Sequence, residues 1–299
     1  MITFVNDSVL YVTSGTNHGN AVIPKPGGTV EGDLLVWLGN DDRTSGRTWI
    51  SALPAGWTAI DERFSPGRFE VGAAAFKIAG PSEPATYTFQ VLASENSASA
   101  SVILKFSTDV GFNIADVIHA VGVTALFVVL GSPPVDWVCP SATVTKAGTR
   151  VIRLASSRFG PNLWNDGVYS LVAGPAATEI VDRGSGDVSN RSGFGGYLEN
   201  ASPAIGPTGP ATIRWGAAFG GTGYEAWAYT IVLAETPPDF LSQEEAEARA
   251  TEKVADGTWP VAHSERTFLG ASAVRFQRFM SPGDPGAGGW VETTDTLVT

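Results

Sequence analysis

The residues of this chain best suited to metal binding or nucleophilic catalysis are three histidines, His18, His119 and His263, and one cysteine, Cys139. Their spacing supports neither chemistry. No two histidines stand at a paired ligand spacing, and no histidine shares a motif with Cys139. His18 in SGTNHGN reads as a turn residue. His119, inside an apolar segment, reads as a buried histidine with a satisfied hydrogen bond, and His263 in VAHSER as an exposed one. Cys139 follows a tryptophan-containing strand and precedes Pro140, so it reads as a small buried hydrophobe. A lone cysteine forms no intramolecular disulfide and no cysteine-based zinc site. The chain has no G-x-S-x-G elbow, no P-loop and no dinucleotide glycine motif after a strand. The glycine-rich SGFGGYLEN leads into a β pattern and not a helix, which argues against a phosphate cradle.

Two loops gather acids. GNDDRTSGR carries Asp41 and Asp42, and DRGSGDVSN carries Asp182, Asp187 and Asn190. Calcium takes oxygen-rich turns of this kind, but Arg43 and Arg183 adjoin them and ion pairing or solvation explains the acids equally. No carboxylate pair stands out for glycoside hydrolysis. The expectation is a chain without catalytic, metal or cofactor residues. Recognition is the chemistry that remains. Trp37, Trp57, Trp137 and Trp215 fall at strand positions and read as core, whereas Trp49 in GRTWISALPAG and Trp164 in GPNLWNDG fall in loops. With Tyr224 they are the candidate surface-binding residues, suited to stacking on a sugar face or anchoring a protein contact.

The elements that must position these residues are strands. Of 299 residues 43% are hydrophobic and 16% charged, enough apolar content for a packed core, while 35 glycines and 19 prolines interrupt the chain too often for long helices. A net charge of −11 disfavours nucleic acid and anionic membrane surfaces as partners. The opening MITFVNDSVLYVTSG has neither the basic nor the apolar region of a signal peptide, and the apolar run Val117 to Leu130 contains His119 and is too short to span a bilayer. The expectation is a soluble protein made in the cytoplasm, without membrane insertion.

The sequence also repeats. Pro24 matches Pro140, Gly32 before DLLVWL matches Gly148 before TRVIRL, Thr58 matches Thr178, Pro84 matches Pro210 and Ile103 matches Ile231. The separation only grows along the chain, as it does when a second copy carries loop insertions, here near Ser156 to Gly167 and Gly184 to Gly196. Strands are expected at Leu34 to Leu38, Thr58 to Phe64, Glu70 to Ile78, Tyr87 to Val91 and Ser99 to Phe106, with a fully buried strand at Val121 to Leu130. The fold expected is all-β: two tandem β-sandwich, jelly-roll-like domains related by an internal repeat, residues 1–112 and 113–237, plus a C-terminal α/β tail, 238–299. In that tail Ser242 and Glu245 form a capping box and Gly257 is placed to end a helix. Phe240, Leu241, Trp259, Phe268, Phe276, Phe279 and Trp290 are its candidate assembly contacts, if the tail is an arm docking on a neighbouring subunit and not simply a packed appendage.

GDLLVWLGND, LPAGWTAIDERF and AAAFKIAGPSEPATYTFQV together resemble a pattern of structural proteins of tailed bacteriophages and prophages. There a G-D-L-L strand is followed by P-A-G-W-T and by a K-x-A-G-x-S-E-P-A-x-Y-T-F hairpin. The resemblance covers Gly32 to Val91, with a diverged copy over Gly148 to Glu235 in which NLWNDGVYSLVAGPAATEI replaces the P-A-G-W-T signature. It implies a non-enzymatic virion component, tail or tail-fibre associated or a head decoration or spike protein, made in the bacterial host cytoplasm. Its implied partners are other virion proteins and further copies of itself as a homo-oligomer. A carbohydrate-binding module of an adhesin, meeting a host surface glycan, is the rival expectation.

Overall fold

The computed structural model describes residues 1–12, 20–42, 53–64, 70–90, 99–109, 111–128, 135–159, 169–184, 192–215, 224–235, 264–268, 274–279 and 290–292. Every regular element among them is a β-strand. The chain divides into two compact units, Met1–Glu235 and Thr236–Thr299, and the repeat boundary at 112/113 falls inside the first.

Seven strands come from the first copy: β1 (Thr3–Val12), β2 (Asn20–Pro24), β3 (Leu34–Asp42), β4 (Thr58–Phe64), β5 (Glu70–Ile78), β6 (Thr86–Gln90) and β7 (Ser99–Ser107). The second copy supplies β8 (Ile118–Val128), β9 (Val135–Cys139), β10 (Thr143–Val144), β11 (Thr149–Phe159), β12 (Tyr169–Ala173), β13 (Ala177–Gly184), β14 (Ser192–Glu199), β15 (Gly206–Pro207), β16 (Ala211–Trp215) and β17 (Tyr224–Ala234). The first copy's large antiparallel sheet has the order β1-β7-β3-β5-β4, and the second copy's has the order β8-β17-β11-β14-β13. With β10, β12 and β15 set aside as additions, these are one strand order used twice. Small sheets repeat too: β2 pairs with β6, and β9 pairs with β16, which also takes up β12.

Even the irregularities recur. Register shifts at Val5, between Phe4 and Asn6, and at His119, between Ile118 and Ala120. It shifts again at Ile60 in β4 and at Ile180 in β13. A bulge re-aims a side chain, which accounts for a histidine in an apolar strand. Gly32 and Gly148, matched in the sequence, both take positive φ, 87° and 76°, where the chain turns into β3 and β11.

The two large sheets pack face to face. β3 lies against β11, β7 against β14, β5 against β17, β1 against β13 and β4 against β8. Leu34, Val36 and Leu38 of β3 share this central core with Ile152 and Leu154 of β11 and with Trp227, Tyr229, Ile231 and Leu233 of β17. The alternate residues of β3, Leu35 and Trp37, enter an outer core beneath the β2–β6 sheet. There Trp37 stacks on Phe89 with ring centroids 4.2 Å apart and planes 8° from parallel, and Trp57 meets Tyr87 and Phe89 edge-on. Burial on both faces explains why LLVWL is continuously apolar and does not alternate.

Two expectations need correction. The Ile103 to Ile231 match is one residue out of step. Ile103 stands opposite Trp37, while Arg153, the residue equivalent to Trp37, stands opposite Thr230. A one-residue slip exchanges the faces of a strand, so Ile103 belongs to an outer core and Ile231 to the central one. The apolar run expected as a fully buried strand is β8, an edge strand paired only to β17, with Val121 exposed and Val123 and Ala125 partly buried.

Where the first copy buries Trp37, the second buries Arg153, which is 0% exposed. Its guanidinium donates to Glu199 at 2.7 Å, Thr230 Oγ1 at 2.8 Å and the Gly209 carbonyl at 3.1 Å, and reaches the Pro140 and Thr208 carbonyls at 3.4 Å. Thr230 also donates to the Pro140 carbonyl. One side chain thus joins three strands to the turns beside β9 and β16. Arg153→Met strands a buried carboxylate and several carbonyls, and is expected to cost about 3–5 kcal/mol in chemical denaturation at neutral pH. Glu199→Leu added to Arg153→Met is expected to recover only part, since those carbonyls remain without their donor.

Candidate functional site

The residues that carry the sequence pattern come together, and they make structure. The Glu83 side chain is buried in the β5–β6 connection, which crosses from the large sheet to the small one, and its carboxylate accepts the Gly80 amide at 2.7 Å, the Tyr87 hydroxyl at 2.8 Å and the Lys77 ammonium at 2.9 Å. Burial alone pushes its carboxyl up, but the Gly80, Lys77 and Tyr87 donors outweigh that and hold the pKa below its ordinary value. Burial, reinforced by Glu83, raises the Tyr87 hydroxyl far above the ordinary tyrosine range. Asp33 of G-D-L-L accepts the Val30 amide at 2.9 Å, and the Lys105 ammonium stands 3.9 Å away. Lys105 is itself buried and donates to the Gly27 and Gly28 carbonyls. In P-A-G-W-T the Trp57 amide bonds the Pro54 carbonyl across Gly56, whose φ of 82° suits the third position of a tight turn and drops Trp57 into the outer core.

The candidate site for recognition is one end of the first unit. The connections β1–β2, β4–β5, β6–β7, β8–β9, β11–β12, β13–β14 and β16–β17, and the start of β3–β4, all leave from this end. In the register Val12 pairs with Ser99 and Asp42 with Glu70. Phe159 pairs with Tyr224, and Tyr224 with Val128. The ends of the two sheets coincide, because Asn40 donates to Ser156 Oγ at 2.8 Å and the Trp227 indole to the Arg63 carbonyl at 3.1 Å, both near them. The opposite end holds the described connections, where Thr108 bonds Glu235.

Tyr224 opens β17 at the loop-bearing end. Trp49 and Trp164 lie outside the described residues, in the connections that follow β3 and its counterpart β11. Phe240, Leu241 and Trp259, and the helix expected from Ser242, also lie outside them. In the second unit Phe268 and Phe276 stand in β18 (Ser264–Phe268) and β19 (Val274–Phe279), and Phe279 pairs with Trp290 of β20 (Trp290–Glu292).

Of the acids weighed for calcium, Asp182 accepts the Tyr169 amide at 3.1 Å, while neighbouring Arg183 pairs with Asp7 of β1. Asp187 and Asn190 lie outside the described residues, and Asp41 and Asp42 close β3. No group of three or more metal-ligating side chains occurs among the described residues. No helix among them is long and apolar enough to cross a membrane. His119 is largely buried, and its Nε2 accepts the Thr145 amide at 3.0 Å. Cys139 is fully buried, and burial pushes its thiol up to about 12. Arg153, Lys105 and the Asn40–Ser156 pair went unremarked in the sequence. Single charges inside the apolar runs VIRLA and VILKF were the available signal for the first two. Comparison with protein-family models, with curated proteins and with solved structures gives no match.

Glu83→Gln is expected to lower unfolding free energy by about 1.5–3 kcal/mol at pH 7. Because the folded pKa is depressed, this contribution is present above the ordinary value of 4.5 and is lost as pH falls through the folded one. The gap between wild type and variant in denaturation midpoints therefore narrows in acid. Cys139 is expected to resist a thiol reagent in the native protein and to react once denatured, which a titration with and without guanidinium reads directly.

Proposed function

We propose that this chain is a non-enzymatic structural protein of a bacteriophage particle, associated with the tail or tail fibre, which turns its loop-bearing end towards the surface it meets. The observation that carries the reading is the gathering of the connections from both copies at one end of a single β-body. A rigid scaffold with variable loops at one end is a general architecture for recognition. The sequence pattern over Gly32 to Val91 supplies the phage context.

In this reading each copy is a jelly-roll-like sandwich in tandem with the other. The tail adds a helix from Ser242 to the β18–β20 sheet and serves assembly with other virion proteins or with further copies of the chain. Synthesis is in the host cytoplasm and the mature location is the virion. A capsid decoration or spike protein uses the same features on the head. The carbohydrate-binding reading draws support from one particular, that Trp49 and Trp164 fall in equivalent connections of the two copies.

Light scattering on the full chain and on a chain ending at Pro237 tests the assembly role. A defined oligomer that becomes monomeric on truncation supports it, and two monomers remove the tail from the proposal. Immunodetection in purified particles tests the location, and absence from them overturns the virion reading. On a glycan array the full chain is expected to bind, and Trp164→Ala to reduce binding at least about tenfold. Silence of the array, or unchanged binding by the variant, counts against sugar recognition.

A further inference from the structure

The packing of the large sheets has a symmetry that fits each copy to the other and not to itself. Across the interface, self-equivalent positions meet. Asn40 meets Ser156, and Thr108 meets Glu235. Arg63 of β4 reaches the Val123 carbonyl of β8, and its equivalent Arg183 of β13 reaches Asp7 of β1. Reciprocal contacts of this kind define an isologous, two-fold interface, here between the halves of one chain.

One row of the interface breaks the symmetry. In the first copy Asn40 is flanked in its sheet by Gly72 and Ala100, and in the second Ser156 is flanked by Phe194 and Trp227. Small–polar–small therefore faces large–polar–large. Trp227 covers Gly72 so closely that a Cβ there would lie 2.3 Å from the indole, and β14, which carries Phe194, packs against β7, which carries Ala100. Pairing two first copies would set glycine and alanine against each other and leave voids. Pairing two second copies would drive tryptophan into phenylalanine.

We infer that the inner face of each copy is a recognition surface for the unlike copy of this same chain, specified by the row Gly72–Asn40–Ala100 against Trp227–Ser156–Phe194, and that it holds the halves together without the covalent connection at Thr108–Val117. The void on one side and the overlap on the other reject like pairings, which is how a specific interface excludes its near relatives. The complex of halves is therefore the unit that folds, and the linker serves to keep its stoichiometry.

The test uses the full chain with a protease site inserted after Gly111, folded and then cut. Light scattering is expected to give the mass of the uncut chain, retained on dilution to nanomolar concentration; separation of the fragments under native conditions overturns the inference. In the cut protein Trp227→Ala is expected to weaken association about a hundredfold or more. Gly72→Ala is a milder probe should that variant not fold. It is expected to weaken association about tenfold, and Trp227→Leu in the same chain to reverse much of that loss, because the smaller side chain clears the new Cβ. Additive losses in that double variant, or tight association of all variants, show that the row does not specify pairing.

Discussion

Two five-stranded sheets bury their inner faces against one another, and most of the remaining structure follows from that contact. A sheet buried on one face only would carry polar residues at alternate positions. Here β3, β7, β11 and β17 sit mid-sheet, and their alternate residues are buried too, apolar ones such as Leu35, Trp37, Ile103, Val151 and Val232 beside polar Lys105, Arg153 and Thr230. They need a second cover on the outside. The small β2–β6 and β9–β16–β12 sheets provide it, each joined to its large sheet by connections at both ends. Strand direction is then constrained, and with it the end at which the long connections emerge.

The copies solve the outer layer differently, and the difference shows what each position tolerates. At the residue facing the outer core from the middle of the central strand, the first copy places Trp37 on Phe89 and the second places Arg153 on Glu199. The aromatic solution gains from apolar burial and ring geometry. The ionic solution gains little net energy from the pair itself, since desolvation offsets attraction, but it satisfies a set of turn carbonyls that no apolar residue could. The second copy has longer turns near that residue, with β10 and β15 as additions, and a buried guanidinium with five donors is suited to organise them.

The sequence showed strands and their order of appearance well, because turn residues punctuate them sharply and Pro24, Gly32 and Thr58 have recognisable counterparts. It also showed that Trp37, Trp57, Trp137 and Trp215 belong inside. It did not show that the two copies share a core. An inward-facing leucine on β3 reads the same whether its neighbour is a small sheet of its own copy or the large sheet of the other. Nor did it show the register between Ile103 and Thr230, because isoleucine against isoleucine is the better letter match and only the pairing with Trp37 and Arg153 reveals the slip. Tyr224, named in the sequence only as a candidate surface-binding residue, is placed by the structure at the start of β17. What Trp49 and Trp164 share, their place after equivalent strands, needed the strand order of both sheets.

The sequence pattern that resembles phage structural proteins is made of fold-forming residues. Lys77, Gly80, Glu83 and Tyr87 lock one crossover between sheets, Asp33 and Lys105 lock one turn, and Trp57 plugs one core. What such residues do is set by the architecture, whatever its loops contact. The pattern therefore reports on architecture and is silent on any ligand. In the proposed recognition role, specificity falls to the connections at the loop-bearing end, where the scaffold does not dictate the residue. Because a two-fold arrangement starts both sets of connections from that end, that role would draw on both copies. The Glu83 network sits beyond Ile78, at the opposite end of β5 from Glu70, so a change in those connections leaves it undisturbed.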